Sequence, residues 1–331
     1  MRILVPMAGY GTRLRPHTWS KPKPLVSVAG KTVLGHVLDG IAPVPDVDEV
    51  VFIVGYLGQQ VAEYVSQHYP HLQARYVEQA ELLGQSHAVW LAREYVSGPL
   101  LILFVDTLIE TDYAFLKHES ADAVAWVKAV PDPRRFGVAE LRPDRTVSRL
   151  IEKPEDMANN LVVVGCYYFR DGVHLLRAIE TQMAGQERPK GEYFLADAIN
   201  HMLDAGLRMR IEAVEVWQDC GKPDALLETN RYLLDSGRDN TAKARTREGV
   251  VVVPPVYIDP TALVADSVIG PHVSIGAGCE VRRSLVRDSI IDDGSQILDT
   301  ALSASIIGRE ARVVGRYRAL NVGDSSEIDF A

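Results

Sequence analysis

Cysteine is scarce in this chain. Cys166, Cys220 and Cys279 are the whole complement, odd in number and far apart. They build neither a disulfide framework nor a zinc pattern, which fits a reducing cytoplasm. Long apolar runs are missing as well. Residues 100–105 form one of the longest. It is far too short to span a bilayer, and no basic-then-apolar leader opens the sequence. Net positive charge is lacking too. The balance is −9, which argues against the broad basic face of a general nucleic-acid binder. Acid, plentiful elsewhere, is absent from one place. No Asp or Glu precedes Asp39, while Lys and Arg occur six times within residues 1–31.

What is present describes a globular protein with ample core: 47% hydrophobic and 24% charged residues. At 331 residues, two domains are expected. The acid-free segment begins with a strand-like run, Ile3 to Val5. A loop with Gly9 and Gly11 follows, then Thr12, Arg13 and Arg15, then Lys21 and Lys23 among Pro22 and Pro24. A cationic, glycine-containing loop after an early strand suits a polyanion, most simply a polyphosphate. A plain tight turn is the alternative. The dinucleotide fingerprint does not fit, because Leu14 stands at its third glycine and Lys31 and Thr32 stand where an acid is needed. The G-K-[ST] of a P-loop is absent.

Strand-like and helix-like segments then alternate through residue 235. Strands are expected at 49–54, 73–78, 100–105 and 123–130, with helices at 58–68, 84–96 and 112–118. This rhythm predicts an α/β domain with a mostly parallel, Rossmann-like sheet, whose ligands lie at the carboxyl ends of the strands. Residues 136–169 read as a meander forming a sub-layer over that sheet. Helices at 173–182, 194–205 and 223–234 and a strand at 209–216 complete the domain. The polar stretch 236–250 reads as a linker. From 251 to 331 the period changes. I-G-P-H-V-S at 269–274 runs directly into I-G-A-G-C-E at 275–280, with echoes on either side. Such hexapeptides predict a short left-handed β-helix of three coils.

The stretch G-Y-G-T-R-L-R-P-H-T-x-x-x-P-K-P-L resembles the signature of the sugar-1-phosphate nucleotidyltransferases. Further matches follow in order: E-Q at 78–79, V-D at 105–106, F-G-V at 136–138, E-K-P at 152–154 and G-C-Y at 165–167. G-E-Y-F-L-A-D-A-I at 191–199 and W-Q-D-C-G-K-P-D-A-L-L-E at 217–228 complete the series. The hexapeptide tail and the closing L-N-V-G-D-S-S-E are similar to the long forms of glucose-1-phosphate thymidylyltransferase. The resemblance implies transfer of a nucleotidyl group from a nucleoside triphosphate to a sugar-1-phosphate, with release of pyrophosphate.

The residue types suit that chemistry, which asks for positioning and positive charge more than for a covalent nucleophile. The resemblance assigns Arg13 and Lys23 to catalysis. It puts Ala8, Gly9, Gly11, Thr12, Gln79 and Gly84 at the nucleotide, with Gln79 reading a pyrimidine. Gly137, Glu152, Lys153 and Gly165 would meet the sugar phosphate; Glu192, Tyr193 and Asp197 lie near the sugar side. Asp106 and Asp219 would hold Mg²⁺, an oxygen-loving cation. Each acid could instead be a cap or turn residue. The sequence departs from the pattern at Val105, where the family usually has glycine, and at Gln85-Ser86-His87. Trp217 reads as core. The histidines, His87 and His272 among them, show no metal-ligand spacing and read as surface or local hydrogen-bonding groups.

The implied products are dTDP-glucose first and UDP-glucose or another nucleotide sugar second. No nucleic-acid or membrane partner is expected. The tail reads as an assembly or stabilisation module of a homo-oligomer. A bifunctional acetyltransferase is the competing reading, against which His272 has no obvious partner. A non-catalytic sugar-nucleotide sensor would lack Arg13, Lys23, Asp106, Lys153 and Asp219; all five are present.

Overall fold

Strand β1 (Arg2–Pro6) is built from Ile3, Leu4 and Val5, all fully buried, as a strand covered on both faces requires. The computed structural model describes residues 1–186, 188–244, 249–316 and 322. The chain divides into two compact units. The first comprises Met1–Ser27 and Lys31–Thr229; the second takes Val28–Gly30 and the chain from Asn230 onward.

In the first unit, β2 (Glu49–Val54), β3 (Ala74–Glu78) and β4 (Leu100–Leu103) join β1 in parallel, in the order β3-β2-β1-β4. Helices α1 (Val33–Ile41), α2 (Gly58–His68) and α3 (Gln85–Leu91) supply crossovers. The expected helix at 84–96 is thus shorter, continuing only as a 3-10 turn at Arg93–Tyr95, and the one at 112–118 is a 3-10 turn at Ala114–His118. Strand β5 is Thr107–Glu110, and β6 is Ala123–Ala129.

The meander takes a different place from the one expected. Its strands β7 (Gly137–Leu141), β8 (Val147–Glu152) and β9 (Leu161–Phe169) do not lie over the sheet. They extend it, as β8-β7-β9-β4. The cause is β9, which is buried along nearly its whole length and pairs antiparallel with β4, β6 and β7. A register shift between Val163 and Tyr167, at Gly165 with φ +82°, lets one strand serve all three neighbours. Helices α4 (Gly172–Ala184) and α5 (Leu195–Asp204) follow, then β10 (Met209–Ala213), parallel to β6. The strand expected at 209–216 ends at Ala213, after which the Val214 N–H closes its ladder on the Val127 carbonyl. A separate strand β11 (Val216–Asp219) then pairs antiparallel with β5, and α6 (Pro223–Leu233) comes next. One apolar cluster around Leu4, Ile102 and Ile199 and another around Ile3, Phe52 and Trp126 form the core.

The second unit starts earlier than the composition suggests, because Asn230 belongs to it. Its carboxamide oxygen accepts from the Ala29 N–H at 2.9 Å and the Ser274 hydroxyl at 2.6 Å. The stretch expected as a linker is folded as far as residue 244. Leu234–Arg238 is a kinked helical turn and Thr241–Ala244 another, while Asn240 bonds both the N–H and the carbonyl of Ile258. Residues 245–248 lie outside the described residues. Three parallel sheets of four strands each follow, consistent with the left-handed β-helix expected from the hexapeptides. They stack four coils where three were expected, because the coils are short. Val256 pairs with Val273, seventeen residues on, and Ile290 with Ile306, sixteen on. Ile258, Ile275, Val281, Val286 and Ile297 fill the interior. The closing motif at 320–327 lies outside the described residues except for Val322.

Candidate active site

The site is assembled in the first unit at the carboxyl end of the parallel strands. After β1 the chain enters the glycine loop. Gly11 takes φ +61°, and its carbonyl accepts from the Leu14 N–H at 2.9 Å and the Thr18 hydroxyl at 2.9 Å. Leu14 is fully buried and anchors the turn. A Cβ at Gly11 would come within 3.0 Å of the Lys23 Cβ, whereas one at Gly9 would meet no protein atom. Gly11 therefore serves the fold, and Gly9 leaves its backbone open to a ligand.

Two adjoining cavities open there. The first, of about 460 Å³, is lined by Ala8, Gly9, Gly11, Thr12, Arg13, Lys23, Gln79, Gly84 and Asp106, among others. The second, of about 440 Å³, is lined by Gly137, Glu152, Lys153, Gly165, Asp219 and neighbours. Arg13, Gln85, Phe104 and Asp106 line both. The residues expected at a nucleotide thus collect in one cavity and those expected at a sugar phosphate in the other.

Asp106 and Asp219 stand side by side. β5 and β11 pair Thr107 with Asp219, and the Cys220 N–H donates to the Asp106 carbonyl at 2.9 Å. Lys23 Nζ is 2.5 Å from Asp106 Oδ2. Burial alone would raise the Asp106 carboxyl, but the charge and hydrogen bond of Lys23, helped by Arg13, hold it below the usual carboxylate range. Asp219 goes the other way. Burial and the Asp106 charge push it up, against the Gly221 N–H at 2.7 Å, Lys23 and Arg13. Two hard-oxygen carboxylates that repel each other are a donor set that suits Mg²⁺. Among the described residues no cluster of three ligating side chains exists. A cation here would therefore draw its remaining ligands from phosphate and water.

Glu152 and Lys153 meet at 3.3 Å, with Lys153 at φ +51° and its ammonium 5.1 Å from the Phe194 ring centre. Gly165 cannot carry a side chain, since a Cβ would lie 2.8 Å from Phe104 in a left-handed backbone. Gly84, with φ +105°, abuts the backbone of Tyr193.

Several placements differ from the sequence reading. Trp217, expected as core, also lines the second cavity, edge-on to Phe136 at 4.8 Å. Glu192 lines the first cavity rather than the sugar side. His272 has partners: Asp235 at 2.9 Å and Asp288 at 3.5 Å, both distant in sequence. His87 is buried and bonded to Gln79. Phe104, Arg135 and Gly221 were missed. Only Gly221, in the D-C-G-K run, carried a sequence signal. All three cysteines are buried and free. Among the described residues no helix is long and apolar enough to cross a membrane.

A model of the nucleotidyl transferase family matches residues 3–236. The bifunctional protein GlmU of Methanocaldococcus jannaschii is 36% identical over 265 residues, which cover 80% of this chain and 61% of that protein. This chain therefore spans less than two thirds of that relative's length. A glucose-1-phosphate thymidylyltransferase of Streptomyces antibioticus is 31% identical over 364 aligned residues, covering 100% of this chain and 99% of its own. Among solved structures, a UDP-glucose pyrophosphorylase complexed with UDP-glucose gives a TM-score of 0.62 at 19% identity, over 71% of this chain and 98% of that one. A nucleoside-diphosphate-sugar pyrophosphorylase from Vibrio cholerae gives 0.59 at 24% identity, over 69% and 99%. These two share the fold.

Proposed function

Since the chain belongs to the nucleotidyl transferase family, we propose that it joins dTTP to glucose-1-phosphate, releasing pyrophosphate and forming dTDP-glucose. The observation that carries this is the pair of cavities meeting at Arg13 and Asp106, one lined by phosphate-loop residues and the other by Glu152 and Lys153. Two anions bound there come together where cations are concentrated. A phosphate oxygen of the sugar attacks the α-phosphorus, the bond to the bridging oxygen of the β-phosphate breaks, and that oxygen leaves with pyrophosphate. The backbone around Gly9 and the Arg13 fork hold the β- and γ-phosphates. Lys23 supplies a point charge to the reacting phosphates once it leaves Asp106. Glu152 accepts from sugar hydroxyls, and Lys153 reaches the sugar phosphate. Asp106 and Asp219 would hold Mg²⁺, which when bound neutralises charge on the phosphate oxygens.

The full-length similarity to the Streptomyces thymidylyltransferase supports the thymidine product. UDP-glucose or another nucleotide sugar is the second reading. The β-helix, on this reading, is an assembly module of a cytoplasmic homo-oligomer. A panel of nucleoside triphosphates against sugar-1-phosphates, read by pyrophosphate release, tests the proposal. The highest kcat/KM is expected for dTTP with glucose-1-phosphate. Preference for UTP would shift the product to the second reading, and no release from any pair would sink the enzyme.

A further inference from the structure

Gln79 directly follows β3 and lines the first cavity, 5% exposed, with its own N–H fixed on the Val54 carbonyl at 2.8 Å. Its side-chain nitrogen touches two groups: the Gly84 carbonyl at 3.0 Å and His87 Nδ1 at 3.1 Å. A carbonyl can only accept, so the amide must present its NH₂ on this side. One N–H goes to Gly84. The other needs an acceptor, and His87 Nδ1 is that acceptor only if the ring is neutral with its proton on Nε2. Burial favours this, lowering the His87 pKa against an opposing pull from the backbone and charge of Glu81. The ring is itself held, stacked against Trp90 at 6.3 Å. With both amide hydrogens engaged, Oε1 is left as the acceptor this side chain can offer, on a residue that lines the cavity.

We infer that His87 is a positioning residue that fixes the Gln79 amide so that the cleft presents a hydrogen-bond acceptor to the base. The inference rests on the proposed nucleotide site and adds a selection rule to it. A pyrimidine imide, thymine or uracil, offers an N–H to that acceptor. Cytosine offers a ring nitrogen lone pair at the same edge, and two acceptors would face each other there. Sites built this way reject the mismatched ligand because a buried polar group is left unpaired.

The test compares kcat/KM for dTTP and dCTP in the wild type, His87→Leu and His87→Asn. Leucine removes the acceptor, while the Asn Oδ1 can occupy the place of Nδ1. The wild type should favour dTTP. His87→Leu should reduce that preference by roughly tenfold, about the worth of one hydrogen bond. The loss should appear as a higher KM for dTTP with kcat nearly unchanged, and His87→Asn should restore most of it. An unchanged preference in His87→Leu overturns the role of His87 and leaves the base site standing. A wild type indifferent to dTTP and dCTP overturns the base site, and the role of His87 with it. Heteronuclear NMR of the imidazole nitrogens in the wild type, with His87→Asn for assignment, needs no folded leucine variant. It should show the proton on Nε2 at neutral pH; a proton on Nδ1 overturns the inference outright.

Discussion

Lys23 and Asp106 neutralise each other at 2.5 Å. In the enzyme proposed here both have other work, one at phosphate and one at a cation, so substrate binding must separate them. The Asp106 side chain is 31% exposed, on the wall of the cleft. Removing Lys23 therefore leaves a hydrated carboxylate rather than a sealed charge. Lys23→Ala should lower kcat by about a hundredfold or more, as losing one preorganised charge at a reacting centre does. Circular dichroism and Tm should stay near wild type. Asp219→Ala should cut turnover comparably, and full activity in either variant would remove that residue from the chemistry. Membership of the cavities was legible in the sequence for residues inside dense motifs, Arg13, Lys23 and Asp219 among them. Phe104 and Arg135 were not legible, because each stands just outside the short motif that follows it.

At the scale of elements, apolar periodicity fixed the parallel strands almost to the residue. It failed where one strand does several jobs. β9 looks like any buried run, and only its three partners reveal that residues 137–169 widen the sheet. β11 was hidden behind β10, because only Val214 and Glu215 separate the two strands and neither is a turn residue. The β-helix shows the same limit. Its hexapeptides announce the repeat, while the coil length depends on how corners close. At those corners buried serines carry the chain from one coil to the next. Ser284 Oγ donates to the Arg282 carbonyl at 2.8 Å and accepts from the Thr300 N–H at 3.2 Å. Ser289 and Ser295 repeat the device toward Ser305 and Ala311. Ser284→Ala would leave the Thr300 N–H without its acceptor, at a cost of about 1–3 kcal/mol. Denaturant unfolding should show that loss, while Ser303→Ala, which removes only an exposed bond to Arg287, should stay within about 0.5 kcal/mol of wild type. Equal effects would mean that the buried hydroxyl contributes only its volume.

At the scale of the whole molecule, an acidic protein keeps one acid-free segment and places it where anions would bind. That division of charge was visible from composition alone; the lining of the companion cavity came only through the resemblance, since it is gathered from β7, β8, β9 and β11. If binding belongs to the first unit, hydrogen exchange with saturating dTTP and Mg²⁺ should slow across residues 8–13 and 79–88 and leave 250–314 unchanged. Slowing in the β-helix as well would give the tail a part in binding. The short coils have a last consequence, for how this protein can change length over generations. Every coil repeats its neighbour's hydrogen-bond ladder in the same direction. Gaining or losing one whole coil leaves the inward residues of all the others inward, whereas gaining half a coil turns the interior of everything downstream toward water. Viable insertions and deletions in this part of the gene should therefore come in steps of a coil.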